Sequence, residues 1–280
     1  MRILITGGGG MLGLDVRRAA EEAGHEPIAL TRAQLDIADR TAVMEAVADA
    51  GADAVINCAA WTDVDGAESH ANEASAVNGT GAGNVAAAAD AAGAWLVHVS
   101  TDYVFDGAKA SAYVESDPAT PVSAYGRSKL DGELAVAAAA PGHTIVRTAW
   151  LFGAGGKCFP KTILRAASQR PELSVVSDQI GCPTFTGHLG ATLVALAADP
   201  TPGVLHVAGA GRCSWYEFAQ AIVAAGGSDC AVRPIPSADY PTPTQRPANS
   251  VLVSERGAPV LPSWRAGLEQ FISELAEVRA

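Results

Sequence analysis

The chain has 280 residues, of which 49% are hydrophobic and 18% charged, and its formal net charge is -11. That apolar content supports one large or two closely packed domains and excludes an intrinsically disordered chain. The acidic balance excludes a long nucleic-acid interface, which needs a basic stripe, but it leaves room for a nucleotide-sized anion held by backbone N–H groups and one or two arginines.

From the start of the chain, Ile3-Leu4-Ile5 reads as a short buried strand, the glycines after it as a turn, and Met11 to Ala23 as a helix ended by Gly24. The alternation continues with a strand over Pro27 to Leu30, a helix over Thr41 to Ala50 and a strand over Ala54 to Cys58. A long helix is predicted from Asn72 to Ala92, then a strand over Trp95 to Val99, a helix over Tyr125 to Ala139 and a strand over Thr144 to Arg147. Alternation of this kind implies parallel strands joined by crossover helices, a Rossmann-type doubly wound α/β sheet. Residues 1–150 are expected to form the dinucleotide-binding domain.

Past Trp150, Pro and Gly become frequent, which sets residues 151–280 apart as mainly a smaller C-terminal lobe, expected to be the substrate-binding lobe. Helices are expected there at Lys161 to Ser168, Gly187 to Ala197, Trp215 to Ala225 and Trp264 to Ala276, with strands at Leu173 to Val176 and Val204 to Val207. Some elements, the helix after Gly187 among them, are expected to return to the first sheet. No apolar run reaches the roughly 18 residues of a membrane span, and Met1 to Ile5 runs straight into glycines rather than an apolar leader. A soluble cytoplasmic protein with neither nucleic acid nor membrane as partner is expected. Five cysteines (Cys58, Cys158, Cys182, Cys213, Cys230) are odd in number and lack a C-x-x-C pair, so no disulfide framework or metal site is indicated.

Four features carry chemistry. Thr6-Gly7-Gly8-Gly9-Gly10-Met11-Leu12-Gly13 follows the first strand with the spacing T-G-x-x-G-x-x-G. Gly7, Gly10 and Gly13 permit a tight turn and close approach of a pyrophosphate to a helix N-terminus. Where NAD-binding sheets usually carry an acid, the chain offers Arg32, which suits a 2′-phosphate and favours NADPH; nearby Asp36 keeps NADH open. Tyr125 and Lys129 lie four residues apart on one helical face, and a neighbouring ammonium is expected to favour the ionised phenol. Ser100-Thr101-Asp102 sits at the end of a strand, where open parallel sheets bind ligands.

With these in order, the chain resembles the extended short-chain dehydrogenase/reductases and, within them, the dTDP-4-dehydrorhamnose reductases. The narrower resemblance rests on Asn57 to Glu68 (NCAAWTDVDGAE), Val77-Asn78, Ser100 to Gly107 (STDYVFDG), Arg147 to Gly153 (RTAWLFG), Asp178 to Thr184 (DQIGCPT) and Arg246 to Ser250 (RPANS). It implies NAD(P)H-dependent reduction of the 4-keto group of a nucleotide-linked 6-deoxysugar, with Tyr125 as proton donor, Thr101 polarising the carbonyl and Lys129 also holding the nicotinamide ribose. It further implies that Gly10, Met11 and Leu12 cover the pyrophosphate, Asp36 and Ile37 border the adenine, and Ala60, Trp61 and Thr62 line the middle of the cofactor. Thr101, Asp102 and Trp150 would contact the sugar nucleotide, although Trp150 also fits a core aromatic closing the lobes. Arg246 would clamp the diphosphate or serve as a loop arginine. A homodimer is compatible with the resemblance.

Epimerases and dehydratases share the glycine loop and the Tyr-Lys pair, but dehydratases carry an acid directly after Thr-Asp, where this chain has Tyr103. Reductases of related antibiotic sugars, and the non-catalytic regulatory subunit of some methionine adenosyltransferases, are the remaining alternatives; intact Thr101, Tyr125 and Lys129 favour an enzyme.

Overall fold

The computed structural model describes residues 1–277. Its first half alternates strand and helix: β1 (Arg2–Thr6), α1 (Met11–Glu22), β2 (Glu26–Leu30), α2 (Arg40–Ala50), β3 (Ala54–Asn57), α3 (Gly66–Ser69), α4 (Ala71–Ser75), α5 (Ala82–Ala92), β4 (Trp95–Thr101), α6 (Ala124–Ala139) and β5 (His143–Thr148). The second half holds β6 (Leu151–Phe152), α7 (Phe159–Ala167), β7 (Glu172–Val176), β8 (Ile180–Gly181), β9 (Thr184–Phe185), α8 (Thr186–Ala198), β10 (Gly203–His206), β11 (Cys213–Ser214), α9 (Trp215–Ala225), β12 (Ala231–Ile235) and α10 (Trp264–Glu277).

Six strands form one parallel sheet in the order β10-β5-β4-β3-β1-β2. Alternate residues of each strand face opposite layers, so one apolar run feeds two cores. Ile3, Ile5, Ile56, Val97 and Val146 pack under α1 and α8, whereas Leu4, Val55, Leu96 and Ile145 pack under α2, α5 and α6. The fold is thus a Rossmann-type doubly wound sheet, whose strand order reverses beside β1 and opens a crevice at the carboxyl ends of β1 and β3. A third core around Phe152, Phe185, Phe218, Trp264 and Phe271 holds the C-terminal lobe.

The sequence expectations meet three differences. The strand over Val204 to Val207, expected in the second lobe, is β10 and pairs with β5 in the main sheet. Its side chains explain this placement, since Val204 packs into one core and Leu205 into the other, as a strand covered on both faces requires. The helix from Asn72 to Ala92 is not uniform: α4 and α5 are joined by a π-helical turn over Ala76–Gly81. Finally, β7 finds its partner in β12, a strand that is not among the sequence expectations.

Candidate active site

A cleft of about 1080 Å³ runs along the carboxyl ends of the sheet between the two lobes. One wall is the glycine loop. Gly7 has φ +68°, a conformation that L side chains rarely adopt, and a Cβ there would stand 2.7 Å from the Ala59 nitrogen. A Cβ on Gly13 would collide with the Gly7 carbonyl. α1 then begins with no side-chain cap and no acid in its first turn, so its leading N–H groups remain for an anion. Buried Asn57 steadies this wall, accepting from Thr6 Oγ1 at 2.6 Å and from the Ala59 nitrogen at 3.2 Å.

Arg32, Asp36 and Ile37 line the far end of the same cleft. Arg32 makes no ion pair among the described residues. Asp36 accepts from the Ala38 nitrogen at 3.0 Å, which engages one of its oxygens in a local turn. Ala60, Trp61 and Thr62 line the middle, and Asn78 on the π turn holds them through the Trp61 nitrogen at 2.8 Å and carbonyl at 3.1 Å. Asn78 also donates to Ser128 Oγ at 2.9 Å, which in turn donates to the Tyr125 carbonyl at 2.8 Å. The extra residue of the π turn thereby ties the middle of the cleft to the helix that carries Tyr125.

Thr101, Tyr125 and Lys129 meet on the opposite wall. Ser123 caps α6 through the Gly126 nitrogen at 3.0 Å, which sets Tyr125 in the first turn. Burial pushes the Tyr125 phenol above its ordinary value of 10, and the neighbouring Thr101 hydroxyl acts in the opposite direction. Lys129 is 2% exposed and donates to the Val99 carbonyl at 2.7 Å, and burial lowers it to about 8. The expected tuning of Tyr125 by this ammonium is not what shapes the phenol here. Lys129 is turned to Val99 within β4, and burial is the foremost influence on Tyr125, with the Asp102 carboxylate raising it further. The Thr101 hydroxyl donates to Asp102 Oδ1 at 2.9 Å, and burial raises Asp102 from 3.8 to about 6.

A family model described as the RmlD substrate binding domain matches residues 1–277. The chain belongs to that family. It is 45% identical to the dTDP-4-dehydrorhamnose reductase of Mycolicibacterium smegmatis, over 97% of this chain and 85% of that protein. With the enzyme of the same name from Burkholderia thailandensis it shares 43% identity over 98% and 99% of the two chains. A crystal structure of dTDP-4-dehydrorhamnose reductase from Bacillus anthracis in complex with NADP superposes with a TM-score of 0.94 at 36% identity, covering 98% and 99% of the two chains.

At the other end of the cleft stand Trp150, at the boundary between the lobes, and Lys157, Trp215 and Arg246 of the C-terminal lobe. Trp150 has φ +48°, strained for a residue with a side chain, and its indole stacks on Trp215 with ring centres 3.5 Å apart and planes 4° from parallel. Arg246 donates to Asp65 Oδ2 at 2.9 Å and lies 3.4 Å from the Tyr103 hydroxyl. The sequence candidates did not include Trp215, Lys157 or Asp65 itself. Trp215 was legible only as the start of a helix, after Ser214 in a capping box with Glu217. Lys157 stood in a glycine cluster whose loop packs on Met11 and Leu14, a contact no local pattern announces.

Proposed function

We propose that the chain reduces the 4-keto group of dTDP-4-dehydrorhamnose (dTDP-4-dehydro-6-deoxy-L-mannose) to dTDP-L-rhamnose, with NADPH as the reductant. The observation that carries this reading is the meeting of Thr101, Tyr125 and Lys129 on one wall of a cleft whose other wall is the glycine loop and the uncapped end of α1. The chain's family and the shared name of its relatives select the sugar nucleotide. Residues 1–150 hold the cofactor side, and the lobe past residue 151 holds the sugar nucleotide, with α8 and β10 returned to the first sheet.

Gly7, Gly10, Met11, Leu12 and Gly13 receive the pyrophosphate, and Arg32 the 2′-phosphate. Asp36, Ile37, Ala60, Trp61 and Thr62 border the rest of the cofactor, whose bound nicotinamide supplies the hydride to C4. Tyr125 gives its proton to the C4 oxygen, and burial keeps that proton on the phenol at neutral pH until the oxygen develops charge. Thr101 turns its hydroxyl from Asp102 to the carbonyl oxygen, Lys129 holds the nicotinamide ribose, and Trp150, Asp102 and Arg246 hold the sugar and diphosphate.

The test follows NADPH absorbance with dTDP-4-keto-6-deoxyglucose, with and without a 3,5-epimerase, and identifies the product sugar. Oxidation only with the epimerase, yielding dTDP-L-rhamnose, is the expected result; no oxidation in either mixture would overturn the substrate assignment. Tyr125→Phe should lower kcat by roughly 10²–10⁴ while NADPH still binds, and undiminished turnover would remove Tyr125 as the acid.

A further inference from the structure

Directly behind the reacting wall lies a buried charged cluster that the reduction as described does not use. Glu133 stands one turn beyond Lys129 on α6, and its side chain is 5% exposed against 6% for Arg147 on β5. Arg147 donates from Nε to Glu133 Oε1 at 2.9 Å and from Nη2 to Oε2 at 2.6 Å, a bidentate pair. Ser100 Oγ donates to the same Oε1 at 2.5 Å. Ser100 and Arg147 are register partners on β4 and β5, so one carboxylate joins both strand ends just before Thr101 and Thr148.

A buried ion pair is a weak source of stability, because desolvation offsets most of the attraction and well-packed apolar residues of similar volume often serve as well. The charge therefore calls for another use, and Lys129 supplies one. Its ammonium meets only a neutral carbonyl, that of Val99. The titratable groups around it are Tyr125 on its own helix, Cys58 beyond β3 and His98 on β4. Burial pushes the Tyr125 phenol and the Cys58 thiol up, the latter to about 12, and holds His98 well below its ordinary value, so all three are uncharged at neutral pH. Burial brings Lys129 down to about 8, and Glu133 is the foremost group acting in the opposite direction.

We propose that Glu133 is a positioning residue for the reduction: fixed by Arg147 and Ser100, its carboxylate keeps Lys129 charged and keeps the ends of β4 and β5 aligned beneath Thr101 and Tyr125. This rests on the reading that Lys129 holds the nicotinamide ribose. Glu133 does not line the cleft and acts through Lys129. A Lys129 that loses its proton loses its grip on the ribose hydroxyls as a double donor, so cofactor affinity and turnover fall together as pH rises.

The experiment titrates NADPH fluorescence on binding, from pH 6 to pH 10, for the full chain and for Glu133→Gln, and measures kcat/KM over the same range. Binding needs no sugar, so it reports on Glu133 even if the keto-sugar assignment fails. In the wild type the alkaline loss of affinity is expected near pH 8. In Glu133→Gln it should move down by roughly one pH unit, with affinity at pH 6 kept within about threefold, and Glu133→Asp should restore part of the shift. The double variant Glu133→Gln/Arg147→Met leaves no unpaired buried guanidinium and should show a smaller shift in the same direction, because losing the Arg147 charge offsets part of the lost carboxylate. An unshifted profile with a uniformly lower rate would overturn the proposal in favour of a structural role. So would failure of both glutamine variants to fold by circular dichroism, or a wild type without alkaline loss.

Discussion

Replacing Asp102 with Asn should stabilise the protein, and by an amount that depends on pH. Asp102 is 1% exposed, accepts from Thr101 through Oδ1, and has no hydrogen-bond partner for Oδ2 among the described residues. Burial raises it from 3.8 to about 6. A carboxyl raised in the folded state takes up its proton there before it does in the unfolded chain. As pH rises from 3.8, the unfolded state ionises first, and the folded state loses stability until about pH 6, above which the penalty is constant. It amounts to roughly 1 kcal/mol at pH 4.5 and roughly 3 kcal/mol at pH 7.5. Asn keeps the shape and an acceptor for Thr101 without the charge. Urea unfolding of Asp102→Asn and the wild type should therefore show the variant more stable by those amounts, with an unchanged m value. A variant less stable than the wild type at pH 7.5, or a difference independent of pH, would refute the reasoning.

Three further outcomes follow from the packing. Gly181→Ala places a methyl against the Trp150 indole, which Trp215 backs on the same stack, so the ring must move; KM for the sugar nucleotide should rise at least tenfold and tryptophan fluorescence should change, while NADPH affinity holds. Arg246→Ala removes the Asp65 ion pair and the proposed diphosphate clamp together, and should raise that KM by roughly 10- to 100-fold, read by steady-state kinetics with NADPH saturating. Leu193→Ala empties a fully buried position between α1, α8 and the sheet, and should lower unfolding free energy by about 2–5 kcal/mol in urea, with kinetics at 25 °C unchanged.

Much of the fold and part of the site were legible because their signals are local. The apolar runs of β1, β3, β4 and β5, the glycines between β1 and α1, and the four-residue interval between Tyr125 and Lys129 each lie within one or two turns of chain. Sheet alternation and helical periodicity act over that same range, so residue order alone fixes which faces are buried. The π turn was not legible because the glycines and Asn78 within Ala76–Gly81 weaken a helix without specifying which turn it takes. It is held in place by Asn78 contacts to Trp61 and to Ser128, 17 and 50 residues away.

What the sequence by itself determined is the set of pieces: parallel strands with crossover helices, a glycine loop between β1 and α1, a Thr-Tyr-Lys set and a C-terminal lobe rich in turns. What only the tertiary structure decided is which distant pieces face one another. Arg246 meets Asp65 across 181 positions, β12 pairs with β7, β10 closes the edge of the first sheet, and Trp215 slides onto a strained Trp150. The direction of Lys129 was settled there too, since helical spacing puts it on the face of Tyr125 but the Val99 carbonyl of β4 accepts from its ammonium. These pairings depend on how whole layers pack, and packing free energy is shared among side chains far apart in sequence, so no local pattern encodes it.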